Sequence, residues 1–528
     1  MEKKKLQVWL PLLFSVTMIA GMFVGYKMRD GIPGKSFFYR EKRRPIQEVM
    51  DLIQNRYVDT VNIHALSDTA IEAILAKLDP HSVYIAAEDL QSANDDISGN
   101  FYGIGVEFNI FDDTIHVVNV LVNGPSYTAG IKTGDKILKA NDSILSGKKV
   151  PAERIRMNLR GSLGSSVAIE LVRNGRKQFI TVKRGVIPIT SVDAAYMIDK
   201  ATGYIRLNKF SKQTYREFME SLESLKKKGL SKLVLDLRGN GGGILDEAVE
   251  IADEFLEGDK IITYTEGSHS PRKEYRCRRE GQFEKGALIV LSDEGSASAS
   301  EILMGALQDW ERATIIGRRS FGKGLVQEQY DLSNKSALRL TIARYYTPLG
   351  RSIQRPYEAG GKAYYAEIFD RYSNGGVISV DSVKNDSTKI YTTKSGKKIF
   401  GGGGISPDYF VAADTSRPGT VSSKLFVNGL LGDFGYKYFI KNPDLLTRFK
   451  TSGDFARSFT IGAQDWNLFE KLASEDSISL KGISPKERSF ITRTLKSSIG
   501  RQLYRTGGYF EVVNMEDESL KKAMEILK

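Results

Sequence analysis

"LVLDLRGNGGGILDEAVEIADEFL", Leu233 to Leu256, carries the clearest pattern of secondary structure in the chain. An apolar run of strand length ends in a group of glycines, and apolar residues at helical spacing follow it. "GALIVLSDEGSASASEILMGALQDW", Gly286 to Trp310, repeats the same order of strand, turn and helix. Strands that alternate with helices in this way predict an α/β core with a largely parallel sheet.

Both turns follow the carboxyl ends of predicted strands, where open α/β folds place their active sites. In the first turn, Gly241, Gly242 and Gly243 let backbone N–H groups approach a ligand oxygen closely, as an oxyanion hole requires. A tight turn that binds nothing is the structural alternative at this position.

The second turn contains four serines, and Ser298 stands at the start of the predicted helix. Ser298 and Glu301 form an S-x-x-E capping box, so a purely structural role is one interpretation. The functional interpretation places the Ser298 hydroxyl where the helix dipole favours developing negative charge. The two interpretations are compatible. A serine nucleophile also needs a base, and no histidine lies near Ser298 in sequence.

"GRRSFGKG", Gly317 to Gly324, is one residue short of a phosphate-binding loop. Gly324 stands where that loop requires a serine or threonine for magnesium, which argues against a nucleotide hydrolase. Lys323 lies between Phe321-Gly322 and Gly324-Leu325, an apolar and glycine-lined setting. Because burial lowers the pKa of lysine, Lys323 is a candidate for the missing base.

These two segments together resemble the signature of the carboxyl-terminal processing (tail-specific) serine peptidases. The resemblance implies that Ser298, the middle serine of "SASAS", is the nucleophile and that Lys323, 25 residues later, is the general base. It implies that Gln327, four residues further on, hydrogen-bonds the lysine. The implied oxyanion donors are the N–H of Ala299 and that of Gly241 or Gly242, and this choice stays open at the level of sequence.

The resemblance continues upstream. "LDPHSVYI", Leu78 to Ile85, matches the element that precedes the PDZ domain in this family, and residues 99–185 resemble the PDZ domain itself. PDZ domains bind peptide carboxyl ends by adding them to a sheet edge. The peptide-binding residues implied here are Tyr102, Gly103, Ile104 and Gly105. Ser126 and Tyr127 depart from the small residues usual in the family, which leaves the peptide preference open.

The N-terminus predicts a membrane anchor. "MEKKK" precedes an uncharged run from Leu6 to Tyr26, 21 residues, which is long enough to span a bilayer as a helix. Basic residues follow it, up to "REKRRP" at 40–45. A cleaved secretory signal is the alternative, although no clear small-x-small site is present. A single N-terminal anchor usually exports the domain behind it, so we expect the bulk of the chain on the periplasmic side of the cell membrane.

Composition excludes several classes of protein. The net charge of +12 is spread over the 528 residues without a basic stripe, so no nucleic-acid partner is predicted. Cys277 is the single cysteine, which excludes a disulfide within the chain. The four histidines are dispersed and HExxH is absent, so no metal site is predicted.

The predicted fold class is therefore an α/β peptidase core with an inserted-type, mainly-β PDZ domain, an N-terminal transmembrane helix and a C-terminal helical extension. The predicted bounds are 1–30 for a cytoplasmic stub and anchor, 40–98 for a helical region, 99–185 for the PDZ domain, 186–415 for the peptidase core and 420–528 for the extension. The resemblance does not cover the extension, and no motif in the extension indicates a chemical function.

The resemblance implies a membrane-anchored serine endopeptidase that cleaves exported proteins near their C-terminal tails, with the PDZ domain binding the tail. The implied partners are proteins or peptides with free C-terminal tails and the membrane; a homo-oligomer is left open. No cofactor is needed. Two other classes remain as alternatives, a PDZ scaffold that captures tails without cleaving them and an enzyme of acyl-thioester chemistry. The intact set of serine, lysine, glutamine and glycine turn argues against the scaffold.

Overall fold

The computed structural model describes residues 2–31, 44–373, 377, 390–413 and 419–528. They fall into two compact units, Met1–Ala73 and Ile74–Lys528. The chain begins with helices α1 (Glu2–Gly31), α2 (Pro45–Arg56) and α3 (Ile63–Leu75). Within α1, Trp9–Lys27 has a mean hydropathy of 1.6 and is long enough to cross a membrane. A single-pass anchor and a signal sequence both meet this description; the basic flank predicted after it lies largely outside the described residues.

The next part of the chain contains a small antiparallel sheet and the elements that flank it. In chain order these are β1 (Val83–Ile85), α4 (Ala87–Ser98), β2 (Asn100–Gly103), β3 (Val106–Phe111), β4 (Thr114–Val120), α5 (Pro125–Thr128), β5 (Lys136–Ala140), β6 (Ser143–Ile144), α6 (Ala152–Leu159), β7 (Ser166–Arg173), β8 (Arg176–Lys183) and β9 (Gly185–Pro188). The strand order is β3-β4-β5-β7-β8, so β3 is an edge strand. The hairpin predicted at Asn174-Gly175 is confirmed, and both residues have the positive φ that its tight turn needs.

The α/β core follows. Its elements are β10 (Val192–Met197), β11 (Thr202–Leu207), α7 (Thr214–Lys226), β12 (Lys232–Asp236), α8 (Leu245–Asp253), β13 (Ile261–Gly267), β14 (Ser270–Arg276), β15 (Ala287–Ser292), α9 (Ala299–Asp309), β16 (Thr314–Gly317), β17 (Leu325–Asp331), β18 (Ala337–Tyr346), α10 (Gly361–Ser373), β19 (Ile390–Thr392), β20 (Lys398–Phe400) and β21 (Tyr409–Phe410).

The central sheet has the order β10-β11-β12-β15-β16-β21. Every neighbouring pair from β11 to β21 is parallel, as the sequence predicts, and only β10 is antiparallel. Because the neighbours β12 and β15 run in the same direction, the two turns that follow them leave the sheet at the same edge. We call them the glycine turn, which contains Gly241, Gly242 and Gly243, and the serine turn, which contains Ser298. A second, antiparallel sheet is built from β1, β18, β13 and β14, with β17 paired to β18.

Seven helices complete the described chain: α11 (Thr420–Val427), α12 (Leu430–Lys441), α13 (Leu445–Arg448), α14 (Ser452–Ser458), α15 (Ala463–Glu475), α16 (Pro485–Asn514) and α17 (Glu518–Leu527). We call residues 420–514 the helical unit. It has an apolar core of its own, which includes Phe455, Phe469 and Leu495. The predicted domain boundary at 415 lies outside the described residues.

The last helix does not belong to that core. Leu520, Ala523 and Leu527 of α17 are buried against residues of the central sheet, among them Val234 and Ile289. The side chain of Asp517, at the start of α17, also pairs with Arg238 of the glycine turn at 2.8 Å. Helix α17 therefore covers one face of the central sheet, since a sheet in an α/β fold needs both faces buried.

Candidate active site

Ser298 differs from the other serines of the second turn in its exposure. Ser292, Ser296 and Ser300 are fully buried, whereas Ser298 is partly exposed. Each buried hydroxyl donates to a backbone carbonyl, and the acceptors are Arg318, Leu237 and Asn240 at 2.8, 2.8 and 2.9 Å. Three of the four serines thus hold the turn in shape, and Ser298 is the one that a substrate can reach.

The backbone of Ser298 is strained. Its φ of 56° and ψ of −115° lie in a region that L-residues rarely adopt, and such a conformation costs about 1–3 kcal/mol. The helix that follows fixes it, because every residue of α9 is buried. Strain of this kind is concentrated at active sites, where packing holds a reactive side chain in a set direction.

Lys323 lies at the end of the loop between β16 and β17. Its side chain is partly buried, and its Nζ donates to Gln327 Oε1 at 3.0 Å. Gln327 is itself oriented, because its Nε2 donates to the carbonyl of His81. Burial and the nearby Arg339 lower the pKa of Lys323, and together they outweigh the opposite effects of Glu301 and Asp79. The amine is therefore easier to deprotonate than that of an ordinary lysine.

One buried carboxylate connects the two segments. Glu301 Oε2 accepts the backbone N–H of Ser298 at 2.8 Å and that of Lys323 at 2.9 Å. Glu301 Oε1 accepts the N–H of Gly322 at 2.7 Å and also the hydroxyl of Ser320. Burial raises the pKa of Glu301 to about 7, against the effect of these hydrogen bonds. Glu301 thus does more than close the capping box predicted from the sequence. It binds the serine turn to the loop between β16 and β17 that carries Lys323, which we call the lysine loop.

Tyr345 makes a second connection between the same two residues. Its hydroxyl lies 2.9 Å from the Ser298 carbonyl and also contacts the Lys323 carbonyl. The ring is 1% exposed, on strand β18. With Glu301 on the N–H side and Tyr345 on the carbonyl side, the backbones of Ser298 and Lys323 are held in one fixed arrangement.

The glycine turn packs directly against Ser298. A Cβ on Gly242 would lie 2.8 Å from Ser298 Cβ and 2.9 Å from the Ala299 nitrogen, and Gly242 has a φ of +94°. No other residue fits there without displacing the serine. Asn240 holds the turn, because its Oδ1 accepts the Gly242 N–H at 2.9 Å and its carbonyl accepts the Ala297 N–H at 3.0 Å.

The two predicted alternatives for the oxyanion donor differ in one respect. The N–H of Gly242 is engaged by Asn240, whereas the N–H groups of Gly241 and Ala299 have no acceptor within the described part of the chain. A Cβ on Gly241 would meet nothing within 4 Å, so the space beside it is open. Gly241 and Ala299 are therefore the donors that remain available to a ligand oxygen.

The predicted peptide-binding residues lie in and just after β2. Tyr102 pairs with Val186 of β9 and does not line the groove beside β3, whereas Gly103, Ile104 and Gly105 do. The Ile104 side chain is 2% exposed and belongs to the core of the domain, so only the backbone of Ile104 is available to bind a peptide.

Residues 126 and 127 depart from the family pattern without lining that groove. The N–H of Ser126 donates to the Ile104 carbonyl at 2.9 Å, and the side chain of Tyr127 is 54% exposed. Their contribution to the groove is therefore indirect.

Three residues that shape this site were not predicted from the sequence: Tyr345, Asn240 and His81. Glu301 was predicted as part of the capping box, but its link to the lysine loop was not. His81 lies beside Lys323, and burial together with that lysine lowers the pKa of His81 to about 4. Asn240 stands inside the glycine turn and was visible as a polar residue between glycines. Tyr345 lies 47 residues from Ser298 and gives no local signal.

The lysine loop is not a nucleotide site. A phosphate-binding loop opens a helix, whereas "GRRSFGKG" ends β16 and leads into strand β17. Among the described residues, no group of three or more histidine, cysteine, aspartate or glutamate side chains is arranged to hold a metal ion.

Comparisons with known proteins show which families the chain resembles. The model of peptidase family S41 matches residues 201–361, a PDZ domain model matches 103–183, and a family of unknown function matches 421–505. A carboxy-terminal-processing protease of Bartonella bacilliformis is 35% identical over 313 residues, 58% of this chain and 71% of that protein. A probable CtpA-like serine protease of Staphylococcus aureus is 30% identical over 394 residues, 73% of this chain and 77% of that protein.

Among solved structures, a photosystem II D1 C-terminal processing protease is 28% identical, covers 58% of this chain and 83% of its own, and has a TM-score of 0.33. The relatives from Bartonella and Staphylococcus are matched over more than two thirds of their own length, at 30% identity or above. The chain therefore belongs to peptidase family S41, the carboxy-terminal-processing serine peptidases, and it carries a PDZ domain.

Proposed function

We propose that the protein is a membrane-anchored endopeptidase that cleaves exported proteins near their C-terminal tails, with Ser298 as nucleophile and Lys323 as general base. One observation carries this assignment. A single oxygen, Glu301 Oε2, accepts the backbone N–H of both Ser298 and Lys323. That contact brings the partly exposed serine and the lysine of lowered pKa to one place, although 25 residues separate them in sequence.

Lys323 acts in its neutral form. Its Nζ donates one N–H to Gln327 Oε1, and the lone pair of the neutral amine is then free to accept the Ser298 hydroxyl proton. Glu301 and Asp79 act against the effect of burial on the pKa of Lys323, but burial and Arg339 together outweigh them. Gln327 is in this account the residue that orients the base.

The reaction then proceeds in two steps. Ser298 Oγ attacks the scissile carbonyl as its proton moves to Lys323, and the N–H groups of Gly241 and Ala299 hold the oxyanion. The peptide C–N bond breaks, and Lys323 returns the proton to the leaving amine. Water, activated by the again neutral lysine, releases the acyl group from Ser298. Gly242 contributes by its lack of a side chain, which allows the turn to lie against Ser298.

The PDZ domain would deliver the tail. Strand β3 is an edge strand, and the N–H groups of Ile104 and Gly105 just before it have no acceptor among the described residues. An extended peptide added to this edge would place its terminal carboxylate at these N–H groups. Residues 9–27 would anchor the protein, with the catalytic region on the periplasmic side of the membrane.

The proposal is tested with the full chain in detergent. The substrate is an unfolded protein that ends in an apolar residue with a free carboxylate, and the control is the same protein amidated at its C-terminus. We expect cleavage of the free-tailed substrate at least tenfold faster, because the amide loses the charge that the groove recognises. Equal rates would contradict tail recognition, and no cleavage of either substrate would contradict the endopeptidase assignment.

The pH profile tests the base. Only neutral Lys323 accepts a proton, so kcat/KM should rise with pH through the pKa of Lys323, which burial sets below the usual 10.5. Because Arg339 lowers that pKa, Arg339→Gln should move the rising limb to higher pH. Arg344→Gln, an exposed arginine on the same strand, is the control and should leave the limb in place. A limb that is unmoved by Arg339→Gln would argue for another base.

A further inference from the structure

The helical unit lies opposite the PDZ groove. A cavity of about 780 Å³ separates them, which is within the usual size range of ligand pockets. Residues of β3 and α6, such as Phe108 and Leu159, form one wall. Residues of α11 and α16, such as Phe426, Ser498 and Arg501, form the other. The groove that a PDZ domain leaves open to solvent is thus bounded on two sides here.

Packing fixes the distance between these walls. Tyr436 of α12 is buried against Phe111 and Val118 of the PDZ domain. The rings of Phe111 and Tyr436 are stacked, with centroids 5.3 Å apart. Arg501 and Arg505 also approach Glu107 of β3, at 3.9 and 3.6 Å. These ion pairs are exposed and contribute little, so the buried aromatic contact is the stronger of these two links between the helical unit and the PDZ domain.

The cavity has the features that an extended, anionic peptide needs. The edge of β3 is unpaired on this side, and such an edge takes up a further strand. Three arginines line the cavity, Arg156, Arg160 and Arg501, and Glu107 is the one carboxylate in this lining. The partners of Arg156 and Arg160, Glu153 and Asp95, lie outside the lining, and Arg501 approaches Glu107 only to 3.9 Å. The excess of positive charge complements a terminal carboxylate and acidic side chains near it.

We propose that the helical unit is the second wall of the tail-binding groove, and that Phe426 and Arg501 help to select which tails bind. This rests on the tail binding proposed above. Side chains alternate along an added strand, so one set would face Phe108 and Leu159 of the PDZ domain. The other set, at the second and fourth positions from the end, would face the helical unit instead of solvent. Arg501 should then favour acidic side chains at those positions.

The test measures binding of fluorescent peptides to the full chain in detergent, in a Ser298→Ala background that prevents cleavage. The peptides end in a free leucine and carry glutamate or lysine at the second and fourth positions. We expect the glutamate peptide to bind about tenfold more tightly, and Arg501→Glu to abolish or reverse that preference. Phe426→Ala should weaken both peptides by about tenfold. Phe426 is 74% exposed, so its removal should not affect folding.

Two matched variants serve as controls. Lys471→Glu reverses an exposed charge elsewhere in the helical unit, and Val427→Ala shortens the exposed neighbour of Phe426, which does not line the cavity. Both should leave affinity and preference within twofold.

The outcomes separate this inference from the proposal on which it rests. If the parent protein binds amidated and free tails equally, tail recognition itself fails. If free tails bind better but Arg501→Glu keeps the preference and Phe426→Ala keeps the affinity, the helical wall plays no part. Tighter binding by Phe426→Ala would show that the helical unit obstructs the groove, which would also overturn the inference.

Discussion

Ser298→Ala is expected to reduce peptide-bond hydrolysis by about 10⁴- to 10⁶-fold, as loss of the nucleophile does in other serine peptidases. The fold should survive, because alanine has the same Cβ as serine and the strained φ of 56° is imposed by the buried helix α9. The measurement is the rate of cleavage of a free-tailed substrate by purified protein, together with its thermal unfolding.

Ser292→Ala is the matched control for this variant. It removes a hydroxyl from the same turn, but one that donates to the Arg318 carbonyl at 2.8 Å. We expect a loss of about 1 kcal/mol in the free energy of unfolding and retained cleavage. Cleavage by Ser298→Ala at a rate near that of the parent protein would remove Ser298 from the mechanism.

Lys323→Met is expected to reduce kcat by about 10²- to 10⁴-fold, the usual contribution of a general base. Methionine keeps the apolar stem of the side chain and removes the amine. Since burial disfavours the charged amine at this position, the variant should unfold at the same temperature as the parent protein or a higher one. Turnover and thermal unfolding are measured on the same preparation.

Two further substitutions decide what the lysine contributes. Lys323→Arg keeps a positive charge that cannot be removed at any working pH, so it should be as inactive as Lys323→Met if a neutral base is required. Activity in Lys323→Arg would instead indicate that charge alone matters. Lys362→Met, at an exposed lysine, should behave as the parent protein.

The nature of the α/β core could be predicted from short stretches of sequence. Apolar runs of strand length, glycine or serine turns and helical periodicity are local features, and two copies of the pattern place two turns at one sheet edge. The same holds for the PDZ domain, where the hairpin at Asn174-Gly175 follows from the positive φ that these residues tolerate. The motifs around Ser298 and Lys323 indicated the family through their resemblance to it.

The details of the candidate site could not be predicted in the same way. Glu301 gave a local capping signal, but its hydrogen bonds to Gly322 and Lys323 cross 21 and 22 residues of chain. Asn240 already accepts the N–H of Gly242, which leaves the N–H of Gly241 without that partner. Tyr345 reaches both backbones from strand β18. Each of these contacts depends on how separate elements pack.

Local patterns in the sequence thus predicted the class of fold, because periodicity and turn chemistry are properties of neighbouring residues. The resemblance of its motifs to a known family indicated the family and the candidate pair Ser298 and Lys323. The tertiary structure decided which N–H groups remain free at the glycine turn, that α17 covers the central sheet and that the helical unit lies opposite the PDZ groove. No local pattern encodes these, since they arise when surfaces distant in sequence bury apolar area against each other.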